Sequence, residues 1–535
     1  MSGPTHALEH HARGYVRAVA LATLLAVLVA LTGCGRPRPA DNREPAPAAV
    51  GMEVPALPTV SGPLTVSPVS YPFLASDHDS TPIDPAARGY VEQEYLISGR
   101  ANLYSWPNLD TLTVGATGLY TTRILIRRPA DPARFSGSVR VEPLNPTSGH
   151  DLDAEWEIAH DGFMRAGDAY VGITVSPDTI AALKRFDPGR YATLSMRSPL
   201  PPANDCAARP GATVSSGEPG LAWDIISQVG RLLKTDSSAN PLRDLHPKIS
   251  VLTGWSQSGS YDLTYLDAIA RHVHLPDGQP LFDGYLPGAG GYAGTRISQC
   301  ATLPPAGDPR ARYNPPPGVP VIVVSTPTDF DSAASFDRRT DRPADSDTPA
   351  RRIRLYEIGG GCHLPGDQGW YFPSADELGR AGFAPEARTT YPLSAFPLHV
   401  VLDAAFASLD SWLSHNIAPP HASRLTPANL MAWPVLAAVD RFGNPVGGVR
   451  TTAVDVPTAT YVPRGLKAPG SDNSDYAGYD IPFSPGYLKT LYPTHDDYVR
   501  KVRADVDQLR GAGWLTTYDA DQLINQAQTA NVPPA

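Results

Sequence analysis

Residues Lys248–Gly259, KISVLTGWSQSG, constrain the fold more than any other stretch of this chain. A short β-branched run, Ile249–Leu252, stops at Gly254-Trp255-Ser256-Gln257-Ser258-Gly259, and a helix-like segment follows from Tyr261 to His272. Strand, sharp turn with a serine at its tip, then helix is the pattern of a nucleophile elbow. Such an elbow implies attack by a serine on an acyl carbon.

The rest of the chain supplies a framework for that elbow. Tyr90–Leu96, Thr121–Arg127, Ser138–Leu144, Ala169–Val175, Leu281–Leu286, Pro320–Ser325 and Arg352–Ile358 read as strands. Asp153–Ala166, Ala222–Lys234 and Val400–Leu413 carry apolar residues at helical spacing. Alternation of strands and helices predicts an α/β fold, with a mostly parallel central sheet covered by helices on both faces. A long Pro/Gly-rich insertion is expected between Val175 and Gly220. From about Ser423 the composition shifts to Tyr, Pro and Gly, then to charged helical stretches at Asp496–Arg510 and Asp519–Thr529. Residues 61–422 are therefore expected as the core, and 423–535 as an appended subdomain packed on it, because its aromatics need burial.

Arg13 and Arg17 precede an apolar run, Ala18–Leu31, too short for a comfortable membrane span. Leu31-Thr32-Gly33-Cys34 then places small residues before a cysteine. Residues 1–33 are read as a signal peptide, Cys34 as a lipidation site, and 34–60 as a Pro-rich tether, giving an exported, lipid-anchored protein. An ordinary secretory signal or an anchor helix are the alternatives. Of the remaining Cys206, Cys300 and Cys362, an exported protein can pair two, and Cys206–Cys300 is the favoured disulfide. A net charge of −10 with interspersed signs argues against a nucleic-acid partner. Oligomeric state is not legible.

A serine hydroxyl needs a base, and the base needs a carboxylate to orient it. In this type of sheet they follow the serine in the order acid, then histidine. Pro320–Ser325 runs into Thr326-Pro327-Thr328-Asp329, and the next strand into Gly359-Gly360-Gly361-Cys362-His363. Asp329 and His363 thus follow successive strands, where catalytic groups of parallel sheets collect. Asp331, Asp337, Asp341, Asp345 and Asp347 compete for the acid role, and His399 for the base. Oxyanion donors are expected from the N–H of Gln257 and from Asn145 or Thr147 in the turn after Ser138–Leu144; that turn reads equally well as a helix entry. Ser258 stands where the usual motif has glycine. The run His150, Asp151, Asp153, Glu155, Glu157, His160 matches no metal spacing and reads as a charged first helical turn. No metal and no cofactor are expected.

These residues resemble the alpha/beta-hydrolase superfamily, and more closely the bacterial exported alpha/beta-hydrolase domain proteins. The resemblance spans roughly Val66–Gln528 and rests on VEPLNPTSGHD (Val141–Asp151), AYVGITVSP (Ala169–Pro177), FDPGRYATL (Phe186–Leu194), GWSQSG (Gly254–Gly259), FDGYLPGAG (Phe282–Gly290), RLYEIGGGCH (Arg354–His363) and GNPVGGVRTTAVDVPTATY (Gly443–Tyr461). It implies Ser256 as nucleophile and His363 as base; relatives often place a glutamate near Pro327 instead of an acid at Asp329. It implies an esterase-like hydrolase acting on a small-molecule ester. Amide or lactone cleavage, acyl transfer, or a non-catalytic binding lipoprotein on the same scaffold are the alternatives. Loops at Asp187–Gly220 and Tyr285–Val319, with the C-terminal subdomain, are expected to shape the pockets.

Overall fold

The strand Ile249–Trp255 is buried along nearly its whole length, and its residues alternate between two separate apolar layers: Leu252 packs in one, Val251 and Trp255 in the other. The same division holds for Pro320–Ser325, where Val321 and Val323 face one layer and Ile322 and Val324 the other. Strands apolar on both sides demand helices on both sides. The computed structural model describes residues 53–201, 217–291, 294–305, 307–331, 342–364, 366, 373–385, 391–429, 435–465 and 476–534.

The strands of the main sheet are β1 (Thr59–Ser61), β2 (Tyr90–Asn108), β3 (Thr111–Pro129), β4 (Ser138–Pro143), β5 (Ala169–Ile173), β6 (Ser195–Met196), β7 (Ile249–Trp255), β8 (Gly284–Gly288), β9 (Pro320–Ser325), β10 (Ser346–Thr348) and β11 (Arg351–Glu357). Their spatial order is β1-β2-β3-β5-β4-β7-β8-β9-β11-β10, with β6 added to β3. From β5 to β11 neighbours run parallel; β1, β2, β3, β6 and β10 pair antiparallel. The chain goes from β4 outward to β5, then returns to β7 on the other side of β4. That reversal puts a crevice at the carboxyl ends of β4 and β7, where open α/β sheets bind ligands.

One layer holds α2 (Pro177–Phe186), α3 (Ala222–Leu233) and α4 (Gln257–Thr264); the other holds α1 (Ala154–Ala166). Three sequence expectations change. The region after Val175 is not all insertion, because Ser176 caps α2 through Asp178 N and Pro177 takes its first turn. The two strands expected at Tyr90–Leu96 and Thr121–Arg127 are the inner halves of 19-residue strands. Gly99, Gly115 and Gly118 mask their outer halves, and Gly99 and Gly118 lie where Gln228 of α3 and Leu221, just before α3, approach closely. The helix expected to reach His272 ends at Thr264 and passes into a π turn, Tyr265–Ile269.

Residues 53–60, expected within the tether, are tied to the fold instead. Glu53 N donates to His272 O, and β1 pairs with β2. Residues 1–52, including Cys34, lie outside the described residues, as does Cys206. Cys300 is disulfide-bonded. Cys362 is a buried thiol that donates to Leu364 O at 3.0 Å.

Between β9 and β10 lies α5 (Pro327–Asp331), and after β11 come α6 (Ala375–Ala381) and α7 (Leu398–His415), which joins α1 in the second layer. Beyond residue 423 the described chain forms α8 (Thr452–Asp455), a two-stranded sheet of β12 (Ala459–Val462) and β13 (Tyr479–Pro482), and helices α9 (Pro485–Leu491), α10 (His495–Gly511) and α11 (Thr517–Thr529). Val502, Val506 and Leu509 of α10 cluster with Val400 of α7, and Trp514 packs edge-on against Tyr356 of β11. Ile358 forms a parallel bridge with Val449, and Leu364 another with Ala477. None of the described helices is long and apolar enough to cross a membrane.

Candidate active site

Ser256 follows β7 with φ 66° and ψ −120°, a conformation that non-glycine residues rarely adopt and that costs roughly 1–3 kcal/mol. The turn is this sharp because the flanking glycines allow close packing. A Cβ on Gly254 would lie 2.4 Å from Ser258 Cβ, and one on Gly259 would lie 2.3 Å from Gly288 O. Ser258 is fully buried and small enough for the turn; its Oγ has no hydrogen-bond partner.

His363 Nε2 lies 2.7 Å from Ser256 Oγ, and His363 Nδ1 lies 2.6 Å from Asp329 Oδ1. A carboxylate only accepts, so the ring proton sits on Nδ1 and Nε2 accepts from the Ser256 hydroxyl. The other Asp329 oxygen accepts from both the N–H and the hydroxyl of Thr326 at 2.8 Å. Burial acts to raise the Asp329 carboxyl. The adjacent His363 and the Thr326 hydrogen bonds outweigh it and hold the group below its ordinary 3.8. His363 is itself held on three sides: its N–H donates to Thr328 Oγ1, its carbonyl accepts from Trp255 Nε1, and its ring lies 5.0 Å from that of Tyr476.

The competing residues lie elsewhere. Asp331 accepts from Ala437 N. Asp345 pairs with Arg424, and Asp347 with Arg354. His399 begins α7 near Asp403 and Asp519, away from Ser256. Asp337 and Asp341 lie outside the described residues.

The turn after β4 departs from expectation. Asn145 N donates to Leu152 O at 2.7 Å, and Thr147 N donates to Asn145 Oδ1 at 2.9 Å. Neither N–H is free to face an oxyanion, because the asparagine folds the turn onto its own side chain. Gly149 N donates to Pro146 O, which leaves Ser148 N–H as the unengaged donor of this turn. Gln257 N–H is the first of α4, has no intrahelical acceptor, and sits at the positive end of the helix. The side chains of the turn reach across the elbow: Asn145 Nδ2 donates to Trp255 O at 3.1 Å, and Thr147 Oγ1 to Gln257 Oε1 at 2.8 Å.

The acidic run after this turn is not a solvated helical face either. Asp151, Asp153, Glu155 and Glu157 are all buried. Asp151 pairs with Arg123 and Asp153 with Arg127, two fully buried arginines of β3. Among the described residues no three metal-binding side chains converge.

Tyr476 is the site neighbour that local pattern does not reveal. It comes from the C-terminal region, beside Arg464, whose guanidinium lies 5.1 Å from the Tyr476 ring and donates to Thr328 O. The Leu364–Ala477 bridge and the hydrogen bond from Leu364 N to Tyr476 O bring it to His363.

A family model described as alpha/beta hydrolase domain matches residues 60–525. The chain belongs to this family. The strand order and the elbow at the end of β7 agree with that membership. No curated protein matches the sequence. Similar solved structures include a dienelactone hydrolase from Anabaena variabilis, at 12% identity and TM-score 0.25 over 53% of this chain and 94% of that one. A carboxylesterase from Lactobacillus plantarum aligns at 14% identity and TM-score 0.27, over 49% and 83%. Lipase A from Candida antarctica aligns at 9% and 0.26, over 55% and 79%.

Proposed function

We propose that this family member hydrolyses carboxylic esters through an acyl-enzyme. The hydrogen-bonded chain from Ser256 through His363 to Asp329 carries the reading. Ser256 Oγ attacks the ester carbonyl carbon while His363 Nε2 takes its proton. The charge that develops on the carbonyl oxygen faces Gln257 N–H, with Ser148 N–H as second donor. His363 returns the proton to the departing alcohol, then takes one from water as it attacks the acyl-Ser256 carbonyl, and Ser256 leaves with that proton. Asp329 stays ionised throughout and stabilises the imidazolium. The two hydrogen bonds that it accepts from Thr326 support that role.

Loss of the carboxylate tests the assignment. Asn at 329 would allow the wrong imidazole tautomer, so Asp329→Asn is expected to lower kcat for p-nitrophenyl acetate by about 10³–10⁴-fold. A fall under tenfold would remove Asp329 from the mechanism.

We also propose an exported, lipid-anchored protein with a Cys206–Cys300 disulfide. Leu31–Cys34 after an apolar run supports the anchor, and an oxidised Cys300 suits an extracytoplasmic compartment. Cys34→Ala should move the protein from the membrane fraction to the soluble one; unchanged membrane association would end the lipidation reading.

A further inference from the structure

The Trp255–Ser256 peptide is held at both ends. Its N–H, on Ser256, donates to Gly288 O at 2.9 Å. Its carbonyl, on Trp255, accepts from Asn145 Nδ2 at 3.1 Å. The φ angle of Ser256 is the rotation of this peptide plane about the Ser256 N–Cα bond. Fixing both its polar groups therefore fixes φ. A backbone held at φ 66° without glycine persists only where the surroundings over-determine it.

Asn145 is built for such a hold. Its side chain is 2% exposed. Its backbone is locked to Leu152 by a reciprocal pair of hydrogen bonds, 2.7 and 2.9 Å. Its Oδ1 is taken by Thr147 N, so the amide cannot flip without facing Nδ2 with a donor. Thr147 then reaches Gln257 on the far side of the serine. One turn thus grips the residues immediately before and after Ser256.

We infer that Asn145 is a positioning residue that holds Ser256 in its attacking conformation and sets the gap between the elbow and the turn of the oxyanion donors. The inference rests on the hydrolase reading for its kinetic consequence and on geometry alone for its structural one. It replaces the expected backbone role of Asn145 with a side-chain role.

Two variants and two measurements test it. Asn145→Asp keeps the shape and the acceptor for Thr147 N but loses the donor to Trp255 O; Asn145→Ala loses both. Both are expected to lower kcat for p-nitrophenyl acetate about 10²-fold, with KM within about threefold, since a misplaced nucleophile affects the chemical step more than binding. The rate constant for fluorophosphonate labelling should fall in parallel. In a crystal structure of Asn145→Ala, Ser256 should leave the positive-φ region. A kcat within threefold of wild type in both variants, or an unchanged Ser256 φ, overturns the inference. If wild type neither turns over esters nor labels while φ relaxes in the variant, the hydrolase reading fails and the positioning role stands.

Discussion

Replacing Ser256 with alanine should abolish both fluorophosphonate labelling and p-nitrophenyl ester turnover, a loss of about 10⁴-fold or more, with an unchanged circular dichroism spectrum. The size follows from the unit character of the machinery: without the nucleophile, His363 and Asp329 have nothing to activate. Folding should survive, because Ala accepts the backbone more readily than the larger residues do and the Ser256 hydroxyl bonds only to His363. Ser258→Ala is the matched control. It deletes a buried hydroxyl that has no partner, so stability should be unchanged or higher by up to ~1 kcal/mol, with labelling retained. Labelling that survives in Ser256→Ala and vanishes in Ser258→Ala would transfer the nucleophile to the neighbouring position.

The second large effect concerns stability and pH. Four carboxyl groups surround Arg127: Glu92 of β2, Asp153 at the start of α1, Glu157 of α1 and Asp79; Glu377 of α6 adds a fifth beside Asp79, Asp153 and Glu92. Arg127 bonds only Glu92, Asp153 and Leu74 O. The surplus acids are held as acids. Burial, helped by the nearby Asp153 charge, raises Asp79 to about 6 despite the lowering pull of its hydrogen bond with Glu157. Burial and neighbouring carboxylates push Glu157 and Glu377 well above their ordinary range. Burial likewise lifts Glu142, beneath the turn after β4, to about 8.

The sign follows directly. A carboxyl whose folded value exceeds its unfolded one adds stability below the unfolded value and loses it as pH rises through the folded one. For Asp79 that window runs from about 4 to about 6, and for Glu142 it extends to about 8. Asp329 has the opposite sign and matters only below about pH 4. The unfolding free energy should therefore fall between pH 5 and pH 8, with Asp79 contributing on the order of 1 kcal/mol and Glu142 on the order of 4 kcal/mol over that range. Denaturant titration at the two values measures it, and Glu157→Gln should flatten the dependence. Equal or greater stability at pH 8 in wild type would sink this account of the cluster.

The elbow was legible because its geometry leaves so little freedom: only glycine tolerates the contacts at 254 and 259. Asp329 and His363 were legible because each follows a buried strand of the parallel sheet at the end where its neighbours also end. Thr121–Arg127 misleads for the opposite reason. Its alternation suggests a solvent-facing polar side, yet Arg123 and Arg127 are completely buried, covered by Glu92 and Glu94 of β2, by Asp151 and Asp153 just ahead of α1, and by the carbonyls of Phe73 and Leu74. No local pattern encodes that cover. The turn after β4 misleads because proline, asparagine and threonine each announce a turn without saying which N–H the turn consumes. Tyr476 was invisible, since only tertiary contact joins it to His363.

The stitching of the histidine loop has a consequence for assembly. Gly359 N donates to Val449 O, and Leu364 N to Tyr476 O. Both contacts join segments roughly a hundred residues apart, and closures of that length are slow beside local helix formation. A half-synthesised polypeptide therefore carries Ser256 before the loop of His363 can be stitched down. The last of those stitches closes only with the final fifth of the chain.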